Sequence, residues 1–245
     1  MEIFYQKQII REVEAWKKKM RSHPSLVDNM SKSVQNRLNR FIPEKVHGVI
    51  TTTIKQMVKA VLFGSAYAAI KEKSYSSLEE AEIAIQERIK NYKQTAAIEG
   101  GVTGAGGFLM AMVDFPVLLS IKIKLLFDIA VMYGFDIKDY KERLFILYVF
   151  QLAFSSQAHR QNVFKDVENW EQLSLELPAN INEFNWRPFQ QEYRDHIDLA
   201  KMAQLIPGIG AVVGVVVNYR LIKKLGQTAM NAYRMRILAT QSLKN

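Results

Sequence analysis

The chain has no cysteine among its 245 residues, which excludes disulfides, thiolate nucleophiles and thiolate metal sites and suits a reducing compartment. Its four histidines, His23, His47, His159 and His196, are scattered, and none has zinc-ligand spacing. No metal and no cofactor is expected. There is no Gly-x-Ser-x-Gly elbow, no hairpin signal between strand-like runs and no tandem repeat. The opening Met1-Glu-Ile-Phe-Tyr-Gln-Lys7 lacks the charged, then apolar, then small pattern of a secretory leader, so a cytoplasmic protein is expected.

Long apolar runs are also scarce. Gly100 to Ile121 carries one charge, Asp114, which at mid-bilayer would cost about 2.5–3.5 kcal/mol or more, and Pro116 follows it. Leu205 to Val217 carries no charge but is too short to span about 30 Å of hydrocarbon. With a mean hydropathy of −0.08, these runs read as buried or re-entrant helices.

What is present is helical periodicity. Ile9, Ile10, Val13, Trp16 and Met20 form one apolar stripe, and Val27, Met30, Val34, Leu38 and Phe41 a second. A longer helix from Glu44 carries Val46, Val49, Ile50, Ile54, Met57 and Val61. Ser76 with Glu79, or Ser77 with Glu80, makes a capping box that opens the next helix. Asp114 is placed as the N-cap of a helix running to Tyr133 and closed by Gly134, with Pro116 in its first turn. Asp139 with Glu142 marks another start. Residues 170–188 show no period and read as a loop-like excursion within a single domain spanning 1–245. Helix then resumes from Phe189 and breaks at Pro207-Gly208. The fold expected is all-α, a multi-helix bundle with glycine-rich, closely packed central helices.

Five of the 12 glycines fall within Glu99-Gly-Gly-Val-Thr-Gly-Ala-Gly-Gly107. A glycine costs a helix about 1 kcal/mol relative to alanine, so this density calls for a surface without side chains. Neither the Rossmann fingerprint nor a P-loop fits its spacing. Ala96, Gly100 and Gly104, continued by Gly107 and Ala111, form a small-residue ridge that lets helix backbones approach, and Gly210 and Gly214 repeat the spacing. Near it, Glu99 and Asp128 stand in apolar sequence and require partners, which Arg220, Arg234 or Arg236 could supply. Were Glu99, Asp114 and Asp128 to converge, they could perform acid–base chemistry in a hydrolase-like or lipid-acting enzyme.

Charge is unevenly spread. The net charge is +9, yet no acidic residue follows Asp198, whereas Lys201, Arg220, Lys223, Lys224, Arg234, Arg236 and Lys244 do. Lys17, Lys18, Lys19 and Arg21 make the N-terminal stretch basic as well. A positive face suits an anionic membrane surface or an acidic partner. Nucleic acid is not expected, because no binding module and no aromatic–basic interleaving is present.

Two blocks in order carry a family resemblance. The first comprises Glu99-Gly100-Gly101, Thr103-Gly104, Gly106-Gly107, Asp114, Pro116, Asp128 and Ile129-Ala-x-x-Tyr133-Gly134-Phe-Asp136. The second comprises Ile206-Pro207-Gly-Ile-Gly210, Gly214, Asn218-Tyr219 and Tyr233-Arg234-Met-Arg236. Together they resemble the EcsC family, named for the third product of a bacterial operon whose other products form an ABC transporter. The resemblance implies a transporter-associated protein with no activity to transfer; the basic flanks and apolar helices add the expectation of a helical protein peripheral at the inner face of the membrane. On this reading the block residues are a ligand-site candidate, and Lys17, Lys18, Lys19, Arg21, Arg220, Lys223 and Lys224 face lipid.

Overall fold

The computed structural model describes residues 2–22, 44–64, 74–105, 107–155, 157–185, 187, 189 and 211–242. Of 2–3, 44–47, 99–105, 107–114, 157–158, 211–217 and 241–242 it describes the helical backbone alone. The stripe from Val27 to Phe41, Gly106, the rest of the helix expected from Phe189 to Gln204, beyond Phe189 itself, and Pro207 and Gly210 lie outside the described residues.

Eight α-helices follow one another, with no strand among the described residues: α1 (Glu2–Arg21), α2 (Glu44–Phe63), α3 (Leu78–Ala105), α4 (Gly107–Met132), α5 (Tyr140–Phe154), α6 (Gln157–Glu168), α7 (Trp170–Glu176) and α8 (Ala211–Ser242). The all-α expectation holds. The long helices α3, α4 and α8 form the centre, α8 packing most extensively on α3 and also meeting α1, α4, α5 and α6. Helices α3 and α4 run antiparallel, since Tyr92 meets Asp128 and Glu82 meets Tyr133. Helix α8 is antiparallel to α3: Arg234 lies at Glu82, Gly226 at Ile89 and Tyr219 at Lys93.

Local chemistry accounts for most boundaries. The Glu80 N–H donates to Ser77 Oγ at 3.2 Å, and the Glu80 carboxylate accepts from the Ser76 N–H at 2.8 Å, so Ser77 with Glu80 opens α3. Asp139 accepts from the Lys141 N–H at 2.9 Å and opens α5. Gly134, at φ +83°, ends α4: its N–H donates to Val131 and that of Phe135 to Ala130, the paired bonds of a Schellman motif.

Two expectations change. Asp114 and Pro116 do not start a helix; α4 begins at Gly107 and carries Pro116 in its interior. An internal proline forfeits a backbone hydrogen bond and costs roughly 3 kcal/mol. Burial of Phe115, Leu118, Leu119, Ile123 and Leu126, each worth roughly 1.5–3 kcal/mol, outweighs that loss. The stretch read as loop-like from Trp170 begins instead as α7, followed by a 3-10 turn at Ile181–Glu183. It is pinned to α5 by the Tyr140 hydroxyl, which donates to the Pro178 carbonyl, and by Lys141 Nζ, which donates to the Ser174 carbonyl at 2.7 Å.

Candidate functional site

Two carboxylates on the apolar faces of their helices organise the interior. Glu82, fully buried on α3, accepts from the Tyr5 hydroxyl at 2.6 Å, the Tyr133 hydroxyl at 3.0 Å and Arg234 Nε at 2.7 Å. Arg234 also donates to Glu12 at 2.8 Å. Glu142 on α5 accepts from the Tyr233 hydroxyl at 2.6 Å and from Arg236 Nη1 at 2.7 Å. The guanidinium of Arg236 lies over the rings of Phe135 and Phe145, 4.2 and 4.4 Å from their centroids. Tyr133 stacks on Tyr233 at 5.6 Å and joins the two clusters.

Burial raises the Tyr133 and Tyr233 hydroxyls well above the usual tyrosine range, and the neighbouring carboxylates raise them further. Burial also raises Glu142, against the pull of Arg236 and Tyr233. For Arg234 burial opposes the charge, but the hydrogen bonds and charge of Glu82 prevail and its pKa rises. The donors that converge on Glu82 and Glu142 tie α1, α3, α5 and α8 together.

The structure therefore gathers Tyr133, Tyr233, Arg234 and Arg236, with Gly134 shaping the turn between them and Phe135. Asp136 stands outside the clusters and accepts from the Lys138 N–H at 2.8 Å, as a turn residue does. Asp128 is buried further along α4, where the Tyr92 hydroxyl donates to it at 2.8 Å and Arg88 lies at 3.7 Å. The partner expected from Arg220, Arg234 or Arg236 is thus corrected: those near Asp128 come from α3, because Arg234 and Arg236 are held by Glu82 and Glu142. Glu99, Gly100, Gly101, Thr103 and Gly104 are helical in backbone at the end of α3, and Gly107 and Asp114 in α4, as is Gly214 in α8. Their side-chain surroundings, and with them any convergence of Glu99 and Asp114, lie outside the described residues.

The basic set divides. Lys17 and Arg21 pair with Glu168 at 3.2 and 2.5 Å. Lys18, Lys19, Arg220, Lys223 and Lys224 are exposed. Among the described residues no group of three or more His, Asp or Glu could hold a metal ion.

A family model described as the EcsC protein family matches residues 7–238. The chain belongs to the EcsC family. It is similar to Protein EcsC of Bacillus subtilis (strain 168), 45% identical over 231 residues that cover 94% of this chain and 95% of that protein. It is also similar to an uncharacterized protein, YdbA, of the same organism, 26% identical over 249 residues that cover 94% and 91% of the two chains. No solved structure matches it.

Within this EcsC-family chain, sequence reasoning passed over Glu82 and Lys122, and took Glu142 only as part of a helix start. Lys122 on α4 is fully buried, and its Nζ donates to the Leu118 carbonyl at 3.3 Å. Burial lowers its pKa to about 7. The signal was readable: Leu118, Leu119, Leu125 and Leu126 occupy the positions three and four residues to either side. Asn218 of the second block is also fully buried, and neither its Oδ1 nor its Nδ2 has a hydrogen-bond partner.

Proposed function

We propose that the protein is a membrane-surface accessory of the EcsC type, lying on the inner face of the membrane without crossing it and assisting an ABC transporter. Among the described residues no helix is long and apolar enough to cross a membrane. The observation that supports docking is one end of the bundle, where the C-terminal part of α3, the first turns of α4 and the N-terminal half of α8 come together. Exposed on these helices are Ile98 of α3, Val117 of α4, and Tyr219, Arg220 and Lys223 of α8. Apolar side chains flanked by cations suit the boundary between headgroups and acyl chains. Each cation near an anionic leaflet is worth about 1 kcal/mol.

Sedimentation with liposomes tests this reading. The protein pellets with vesicles containing phosphatidylglycerol at low salt, and less at high salt or with pure phosphatidylcholine. The double variant Arg220→Glu, Lys223→Glu loses about 2 kcal/mol or more of binding, roughly a thirtyfold drop. Equal and negligible pelleting with both vesicle types defeats the proposal. The transporter part rests on the family resemblance alone, and co-purification with a permease subunit checks it separately.

A further inference from the structure

Lys122 and Asn218 are fully buried polar residues on different helices, and neither has its hydrogen bonding complete. Among the described residues Lys122 meets one backbone carbonyl and no carboxylate, while both amide atoms of Asn218 lack partners. Interiors rarely tolerate this, since each unmet buried polar group costs about 1–3 kcal/mol.

Helix register brings the two to one level. On α4, Lys122 precedes Asp128, which meets Tyr92, so on antiparallel α3 it stands level with the residues just beyond Ala96. Asn218 adjoins Tyr219, which meets Lys93, and so stands level with nearly the same turn. The two residues thus stand within about one helical turn of each other along the bundle axis, on two helices, α4 and α8, that both pack on α3 and on each other. Around that level Phe115, Leu118, Leu119, Leu125 and Ala96 are buried and apolar.

We infer that Lys122 and Asn218 form an interior binding site for a small oxyanion, a carboxylate or a phosphate group. An ammonium offers three donors and a carboxamide two, and an anion of several oxygens accepts from both at once. Binding also supplies the negative charge that a buried ammonium otherwise lacks, and the lowered pKa of Lys122 agrees with that lack. Free phosphate and a phospholipid headgroup share this chemistry. The site is independent of the surface docking proposed above, which uses Arg220 and Lys223.

The test is equilibrium dialysis of the full chain against radiolabelled inorganic phosphate in chloride buffer at neutral pH. One phosphate binds per chain, with affinity at least tenfold weaker in Lys122→Met and in Asn218→Leu and unchanged in Lys223→Glu. In a parallel arm the protein is incubated with phosphatidylcholine vesicles doped with phosphatidic acid and re-isolated by gel filtration. Retained lipid phosphorus that both variants lose identifies a headgroup as the source, and dialysis binding alone identifies the free anion. Asn218→Asp, which sets a carboxylate beside Lys122, abolishes phosphate binding while raising Tm, and so serves if the apolar variants fail to fold. The inference is overturned if neither arm shows binding, or if binding survives in folded Lys122→Met and Asn218→Leu.

Discussion

A cation removed from water loses several kcal/mol of hydration, and two residues in this bundle meet that loss in opposite ways. Arg234 recovers it through Glu82 and Glu12, so removing the guanidinium strands the Glu82 charge in the interior. Arg234→Met therefore lowers stability by about 3–5 kcal/mol, and Tm by roughly 10 °C or more, in a thermal melt. Lys122 has no counter-charge among the described residues and instead gives up its proton readily. Its folded pKa of about 7 lies below the unfolded value of about 10.4, so between these limits the unfolded chain holds more protons. Stability hence rises with pH across that window and is flat, for this group, below it. Denaturant unfolding in phosphate-free buffer shows the rise, and Lys122→Met removes it while raising stability at neutral pH. The cations themselves were plain in the sequence, but their destinations were not. A carboxylate such as Glu82 or Glu142 at a helical position reads as a solvated charge until a distant helix supplies its donors, and Arg234 lies 152 residues from Glu82.

At the scale of elements, boundaries marked by a cap were legible and those set by burial were not. Ser77, Gly134 and Asp139 act through bonds to near neighbours, so a short window of sequence contains the whole cause. Asp114 and Pro116 carry the same local signals, and apolar packing along α4 overrides them. The seven residues of α7 are too few to show a period, and the buried Trp170 is its anchor. The surroundings of the glycine ridge lie outside the described residues; among the described ones a close helix approach occurs at Gly226. A Cβ there would fall 2.7 Å from Ile89 Cδ1 and 2.8 Å from Cγ1. Gly226→Ala accordingly destabilises by about 1–3 kcal/mol, although alanine is the better helix former by about 1 kcal/mol. Ile89→Ala in the same chain makes room for the methyl. The double mutant is therefore less damaged than the sum of the two single changes, a coupling that a thermodynamic cycle reads directly.

Across the whole molecule, the positive surface suggested by the composition is smaller than the count of basic residues implies. Arg234 is buried, Arg236 is half-buried and paired with Glu142, and Lys17 and Arg21 are paired with Glu168. This is why the docking reading rests on Arg220 and Lys223. Composition reports how many charges exist, whereas their disposition depends on which acids the fold brings opposite them. The helical class and the two sequence blocks were evident because periodicity and motif order survive without knowledge of contacts. The union of those blocks through Tyr133 and Tyr233 needed the tertiary arrangement.

Helix α8 closes that arrangement, and it leaves the ribosome after every helix it touches. Until Arg234 and Arg236 emerge, Glu82 has the Tyr5 and Tyr133 hydroxyls but no counter-charge, and Glu142 lacks both its Tyr233 and Arg236 donors. The bundle thus cannot mature helix by helix during synthesis; α1 to α7 wait as a loose precursor that a holding chaperone would recognise. A force-sensing arrest peptide placed at successive lengths gives a flat profile, with one late rise once the exit tunnel has cleared Arg236.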